Sequence, residues 1–192
     1  MIILASASKR RSRILKSCGI KHRIIVSNVC EKMDSKRGAK FNVLHNACAK
    51  AKDVASRYRE GFVIGADTVV VLGKRLIGKP KTKKEARSYL TSFSGKTVFV
   101  YTGLCVIDAK KGKLVSGYAK SKIRAKKLSS KEIERFAKKA GSYDKAGGFS
   151  IEWPGSFIFD DIEGSFYNIL GLPTIKLADL FKKLSPKKRL LI

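Results

Sequence analysis

Two periods of apolar and polar positions run along the chain, and together they predict alternating strands and helices. The longest apolar run, Phe62–Leu72 (F-V-I-G-A-D-T-V-V-V-L), is rich in Val and Ile, which is typical of a buried strand. Shorter runs predict further strands at 2–5, 22–27, 98–108, 114–125 and 157–162. Apolar residues three and four positions apart, with capping residues, predict helices between Ser8 and Gly19, at 41–58, from Thr82 to about Ser92, from Ser129 to Ala140 and at 175–184.

This order of elements indicates an α/β fold. The turns at 73–74 and 110–113 have sequences typical of hairpins, so some neighbouring strands should be antiparallel. A mixed sheet with helices on both faces accommodates both kinds of connection. Because no repeat or linker interrupts the pattern, we expect one domain at 1–184, followed by a basic tail at 185–192.

The composition limits the class of protein. The chain has 192 residues, of which 44% are hydrophobic and 30% charged, as expected for a folded domain with a real core. No apolar run approaches the roughly 20 residues of a membrane helix, and the first residues lack the pattern of a signal peptide, so we expect a cytoplasmic location without a membrane partner. The four cysteines form no C-x-x-C pair, which indicates reduced thiols rather than a zinc site or disulfides.

The net charge of +27 is the most unusual bulk property. It indicates polyanionic partners or a generally basic proteome. Because the basic residues are spread along the chain and no nucleic-acid-binding motif accompanies them, we expect no dedicated nucleic-acid partner.

Asp67 is the single carboxylate in the long apolar strand. Burying a carboxylate is costly unless a cation or a hydrogen-bond donor meets it. Two interpretations stay open: an aspartate that caps the following turn, or a catalytic or metal-binding carboxylate. Gly65 and Ala66 before it would let backbone or ligand come close, which favours the second interpretation.

Basic residues at three places in the chain differ in what the local sequence indicates. Residues 6–11 (S-A-S-K-R-R) form a loop that enters a helix N-terminus, where backbone N–H groups attract anions and Arg10 and Arg11 could hold phosphate oxygens. The alternative is a solvated basic first turn. Lys50 borders an apolar helix stripe, where an ordinary snorkelling lysine is the simpler interpretation. Lys79 lies between Gly78 and Pro80, which would fix it in a loop.

Seven segments, in this order, resemble the Maf-like nucleotide pyrophosphatases. They are L-A-S-A-S-K-R-R at 4–11, A-C-A-K-A at 47–51, I-G-A-D-T-V-V at 64–70, G-K-P at 78–80, F-S-G-K-T at 93–97, Y-D-K-A-G at 143–147 and I-E-G-S-F-Y-N-I-L-G-L-P at 162–173. Their order and spacing extend the resemblance from residue 2 to about 184.

The resemblance implies an elongated, twisted mixed sheet with helices on both faces and two lobes around a central cleft, as in inosine triphosphatase-like enzymes. It implies hydrolysis of a nucleoside triphosphate to the monophosphate and pyrophosphate with a divalent cation, Mg²⁺ or Mn²⁺. Such enzymes are described as house-cleaning hydrolases of non-canonical or surplus nucleotides. Members are often dimers, so a homodimer is a possible assembly.

The resemblance also assigns roles to individual residues. Asp67 matches the catalytic aspartate, which would accept a proton from the attacking water, and Glu31 with Asp67 would hold the metal. The phosphate-binding positions are Ser6, Arg10, Arg11, Lys50 and Lys79. Several cations and a metal suit this reaction because pyrophosphate leaves with several negative charges.

The residues at the positions linked to substrate specificity indicate different substrates. Relatives that act on dTTP and UTP typically have Gln where this chain has Glu152, whereas similar enzymes that act on 7-methyl-GTP have Glu. Arg10 instead matches the subgroup that acts on pyrimidine nucleotides. Thr68, at a third specificity position, does not distinguish the two subgroups. Trp153 could stack on a base or fill the core. We favour pyrimidine nucleotides, with 7-methyl-GTP as the alternative.

Two hypotheses of another class remain. The chain could be a basic nucleic-acid-associated protein without catalysis, or a factor that acts by binding a cell-division protein. The presence of Asp67, Lys50 and Lys79 together argues against the first.

Overall fold

A computed structural model gives the structure of the chain. It describes residues 1–140, 145–152 and 155–186, apart from the side chains of residues 139 and 140. Within these ranges the strands are β1 (Ile2–Leu4), β2 (Arg23–Ile24), β3 (Phe62–Leu72), β4 (Arg75–Ile77), β5 (Thr97–Asp108), β6 (Lys113–Ala125) and β7 (Phe159–Glu163). The helices are α1 (Lys9–Ser17), α2 (Gly38–Ala55), α3 (Lys83–Phe93), α4 (Ser130–Ala140), α5 (Phe166–Ile169) and α6 (Thr174–Leu184).

One mixed sheet organises the described residues. The strand order is β2-β1-β3-β5-β6-β7, and β4 pairs with β3 beside this path. β1 is parallel to β2 and to β3, whereas the other pairs are antiparallel. The predicted mixed sheet is therefore confirmed, and β3 has the bounds that its apolar run predicts.

Helices cover both faces of this sheet, as predicted. Successive strand residues point to opposite faces, and in β3 Val63 belongs to one apolar cluster whereas Phe62 and Ile64 belong to another. The Val63 cluster includes Ala47, Ala51 and Val54 of α2. The opposite cluster contains apolar residues of α1, α3, α4 and α6.

Two strand glycines let α2 approach the sheet closely. A Cβ atom at Gly65 would lie 2.1 Å from the carbonyl oxygen of Ala47, and one at Gly103 would lie 2.3 Å from that of Val43. Gly103 stands opposite Asp67 in the β3–β5 register. The helix backbone thus lies directly on the sheet beside Asp67.

Most predicted element ends agree with the structure, and the start of α2 does not. Ser8, Thr82 and Ser129 accept hydrogen bonds from the backbone of the following helix turns, as predicted. The helix predicted at 41–58 spans Gly38–Ala55, and the buried Asn42 amide donates to the carbonyl of Gly38 and holds the extra first turn. The strand predicted at 22–27 is reduced to Arg23–Ile24. The strand predicted from 157 begins at Phe159, since 155–158 form a 3-10 turn.

Two further expectations concern cysteines and membranes. All four cysteines are free thiols. In the part of the chain that the structure describes, no helix combines the length and the apolar character needed to cross a bilayer.

We predict that Gly103→Ala will destabilise the protein, because the new methyl group would collide with the backbone of α2. Overpacking of this kind costs about 1–3 kcal/mol in the free energy of unfolding, measured by denaturant unfolding. Gly117→Ala in β6 is the matched control, since its nearest neighbour would be the Leu180 side chain at an ordinary 3.4 Å. Equal stability of the two variants would contradict the close helix contact.

Candidate active site

The candidate site lies at a gap along one edge of β3. β1 pairs with β3 as far as Ile64, and β4 joins the same edge only at Val70. Between these points two side chains replace a strand neighbour: Arg11 and Lys50 donate to the carbonyl oxygen of Ala66, at 2.9 and 3.3 Å. The gap therefore gathers cationic side chains next to Asp67.

Asp67 is buried and meets two donors from α2. Its Oδ1 accepts from Lys50 Nζ at 2.8 Å, and its Oδ2 accepts from Asn46 Nδ2 at 3.1 Å. Only 7% of Asp67 is exposed. The cation that a buried carboxylate needs is Lys50, which lies inside the protein. The capping interpretation does not describe this aspartate.

Lys50 joins Asp67 to a second carboxylate. Its Nζ lies 2.6 Å from Glu31 Oε1, so one buried ammonium contacts carboxylates from β3 and from the loop before α2. Burial raises the pKa of Glu31, but the attraction and hydrogen bond of Lys50, with smaller effects of Lys79 and Arg11, leave the pKa below its ordinary value. Glu31 is thus held as a carboxylate beside Asp67.

Asn46 is a residue of the site that the sequence analysis missed. Its side chain donates to Asp67 and to the backbone carbonyl of Lys32, and it accepts from the Lys32 backbone N–H. It therefore fixes the Glu31 loop and the Asp67 carboxylate relative to each other. A sequence signal existed, because Asn42, Asn46 and Lys50 lie four residues apart, which places three polar side chains on one helix face.

Arg11 reaches the site from the first turn of α1 and makes four hydrogen bonds to the protein. It donates to the carbonyls of Ala66 and Gly171 and to the hydroxyls of Ser6 and Thr68, at 2.8–3.1 Å. Burial lowers its pKa, an effect that the charges of Asp67 and Glu31 oppose. A guanidinium has five N–H groups. Because four hydrogen bonds from Arg11 go to the protein, most of its donors hold the site together.

Arg10 and Glu152 form a separate part of the site. Arg10 Nη1 lies 4.0 Å from Glu152 Oε2, and Arg13 Nη1 lies 3.9 Å from Glu152 Oε1. Two predicted specificity residues are therefore neighbours, and Arg13 was not predicted. Trp153 lies outside the described residues, as do Tyr143, Asp144 and residues 187–192 of the expected tail.

Lys79 follows β4 on an exposed loop that faces the same gap. The loop is tied down where Gly147 N–H donates to the Gly78 carbonyl at 2.8 Å, and Met33 packs against Gly78. Hydrogen bonds and ion pairs thus join Ser6, Arg11, Glu31, Lys50, Asp67 and Thr68 in one group. Lys79 is near enough to Glu31 for its charge to act on that carboxylate, whereas Arg10 and Glu152 contact each other.

The donor set fits a magnesium-type ion that is shared with a phosphate substrate. Among the described residues there is no group of three or more His, Cys, Asp and Glu side chains that could enclose a metal. Glu31 and Asp67 nevertheless present oxygen atoms to one common cation, the Lys50 ammonium. Mg²⁺ is commonly held by one or two carboxylates together with substrate phosphates and water.

Comparisons with known proteins show the family of the chain. A model of the family described as "Maf-like protein" matches residues 1–184. The chain is 38% identical over 184 residues to the dTTP/UTP pyrophosphatase of Dictyoglomus thermophilum, covering 95% of each chain. It is 40% identical over 187 residues to that of Caldicellulosiruptor bescii and 41% over 182 residues to that of Clostridioides difficile, covering 95% of this chain and 94% of each relative.

One solved structure also matches weakly. It is a nucleoside-triphosphatase, or dITP/XTP pyrophosphatase, from Mycobacterium abscessus, with a TM-score of 0.43 and 13% identity. The match covers 66% of this chain and 75% of that one.

Proposed function

The chain belongs to the family of Maf-like proteins, and we propose from this membership and the site that it is a nucleoside triphosphate pyrophosphatase. The reaction is attack of water on the α-phosphate, which gives a nucleoside monophosphate and pyrophosphate. The observation that carries the proposal is the buried contact of Lys50 with both Asp67 and Glu31 at the gap in β3. The role is removal of surplus or non-canonical nucleotides.

In the proposed mechanism Asp67 orients the attacking water and accepts its proton. Lys50 donates to Oδ1 of Asp67 and Asn46 donates to Oδ2, so both oxygens are held in place. The positive charges of Lys50 and Lys79, with that of Arg11, offset the charge that builds on the leaving pyrophosphate. Arg10, in the first turn of α1, and Ser6, in the loop before it, are the remaining proposed phosphate-binding residues.

Asp67 and Glu31 would hold a divalent cation, Mg²⁺ or Mn²⁺, together with the triphosphate. When bound, such an ion would supply Lewis-acid stabilisation of the phosphate oxygens. Its charge would add to that of Lys50, Lys79 and Arg11 beside the two carboxylates.

Pyrimidine nucleotides of the dTTP and UTP type are the proposed substrates. Relatives named for these two nucleotides cover nearly the whole chain at about 40% identity. The contacts of Glu152 with Arg10 and Arg13 support this choice, because a carboxylate engaged by two cations is less available to a cationic methylated base. The identity of Glu152 itself supports 7-methyl-GTP as the second candidate.

We predict that Asp67→Asn will lower turnover about 100- to 10,000-fold, because an amide cannot accept the proton of the attacking water. Pyrophosphate release would be followed with Mg²⁺ or Mn²⁺ over dTTP, UTP, the other standard nucleoside triphosphates and 7-methyl-GTP. The matched control is Asp108→Asn, since Asp108 is an equally buried carboxylate at the far end of β5. Turnover by Asp67→Asn close to wild type would rule out its role as the base.

A comparison of Asn46→Ala with Asn42→Ala should distinguish the positioning of Asp67 from the stability of the fold. Both amides are buried and hydrogen-bond the loop before α2, so each substitution should cost about 1–3 kcal/mol in the free energy of unfolding. Only Asn46 contacts Asp67, and its loss should lower kcat about 10- to 100-fold with a smaller change in KM. Equal kcat losses in the two variants would show that Asn46 acts through stability alone.

Glu152→Gln should move preference toward UTP and dTTP, because Gln both donates and accepts at a pyrimidine edge and carries no charge for a cationic base. We expect the ratio of kcat/KM for UTP over 7-methyl-GTP to rise roughly 2- to 10-fold. Glu163→Gln, an exposed carboxylate paired with Lys122 on the sheet, should leave that ratio unchanged. An unaltered ratio in Glu152→Gln would mean that this side chain does not read the base.

A further inference from the structure

The face of the sheet that α2 covers continues beyond the helix as an exposed surface. Residues directly paired across strands point to the same face, and the register pairs Val69 with Tyr101, Tyr101 with Lys120, and Gly103 with Tyr118. Phe99, two residues from Tyr101, shares its side of the sheet. These side chains therefore lie on the α2 face, in the direction away from the helix.

Aromatic rings and lysines alternate along this surface. Lys120 Nζ lies 4.2 Å from the ring centre of Phe99 and 5.7 Å from that of Tyr101. The rings of Tyr101 and Tyr118 stack with centroids 6.2 Å apart, and Lys40 Nζ lies 5.1 Å from the Tyr118 ring. We call these five residues the aromatic-lysine face.

The rings remain partly open to solvent. Phe99, Tyr101 and Tyr118 are each half-buried, and the two lysines are exposed. The lysines that lie over these rings are themselves exposed, so an ammonium group can move from a ring to a phosphate when a base takes its place. A row of accessible rings flanked by cations matches the chemistry that binds single-stranded nucleic acids, in which bases stack on rings and lysines neutralise phosphates.

We propose that the aromatic-lysine face binds single-stranded nucleic acid. The charge of the whole chain, +27, would attract such a polyanion from every side. A second copy of the chain is a poorer occupant, because the same face of each copy would bring lysines against lysines. The face has no local sequence motif because it combines the hairpin of β5 and β6 with α2, which lies about 40 residues earlier in the chain.

This surface borders the catalytic part of the proposed nucleotide site, because Asp67 and Val69 both point to the α2 face of β3. Thr68 points to the opposite side and contacts Arg11 of α1. The aromatic-lysine face shares no residue with the proposed nucleotide site.

The test is fluorescence anisotropy with labelled 20-nucleotide dT and rU strands and with a duplex of equal length. Wild-type protein should bind both single strands more tightly than the duplex, in which the bases are not available for stacking. Phe99→Ala and Tyr101→Ala should each weaken binding of the single strands about 5- to 150-fold. Phe157→Ala, which removes an exposed ring elsewhere, is the control and should bind like wild type.

Salt dependence tests the lysines. The double variant Lys40→Ala, Lys120→Ala should reduce the slope of log affinity against log salt by about 1.4, or 0.7 for each phosphate contact. The double variant Lys110→Ala, Lys111→Ala removes the same charge from the turn between β5 and β6 and should keep the wild-type slope. Tyr101→Leu, which keeps apolar bulk without a ring, replaces Tyr101→Ala if thermal unfolding shows that the alanine variant is not folded.

Two results would overturn the proposal. One is that wild-type protein binds neither single strand, or that the ring variants and Phe157→Ala bind them equally well. The other is that the ring variants convert a dimer into monomers in analytical ultracentrifugation while wild-type protein ignores the oligonucleotides. That outcome would assign the face to contacts between two copies of the chain.

Discussion

The Lys50 ammonium, buried between Asp67 and Glu31, is the interaction on which the site depends. An unpaired lysine or aspartate at this depth would cost several kcal/mol, so Lys50 and Asp67 are tolerated only because each has the other. The contact requires α2 to lie directly against the sheet. Gly65 and Gly103 provide that closeness, because any side chain at either position would push the helix away and separate Lys50 from Asp67.

A second group of contacts joins parts of the chain that are distant in sequence. Arg11 comes from the first helix, Ala66 and Thr68 from β3, and Gly171 from the segment before α6. Thr68 is connected onward to Thr102, whose hydroxyl donates to the Asn168 carbonyl. The segment at 162–173, one of those that resemble the family, thus holds Arg11 in place. Its contribution to the proposed reaction is the position of Arg11 rather than direct chemistry.

Periodicity predicted the sheet and most helix ends because those depend on local patterns of burial and capping. It also singled out Asp67, since one charge in an apolar strand needs a partner. It could not identify the partner, because the contact of Lys50 with Asp67 and Glu31 depends on how α2 crosses the strands. The interpretation of Lys50 as a snorkelling lysine shows the limit: a lysine at the border of an apolar stripe has the same local pattern whether it reaches solvent or a buried carboxylate.

Because carboxylates are scarce in this protein, their positions indicate where the site is. With 42 Lys and Arg against 15 Asp and Glu, positive charge attracts a triphosphate to most of the surface and cannot by itself select one place for it. Two carboxylates brought to one buried ammonium do select a place, because such an arrangement binds a cation and orients water as no lysine cluster can. The same reasoning distinguishes the aromatic-lysine face from the site. The face has cations and rings but no carboxylates, so its chemistry suits binding of a polyanion rather than hydrolysis.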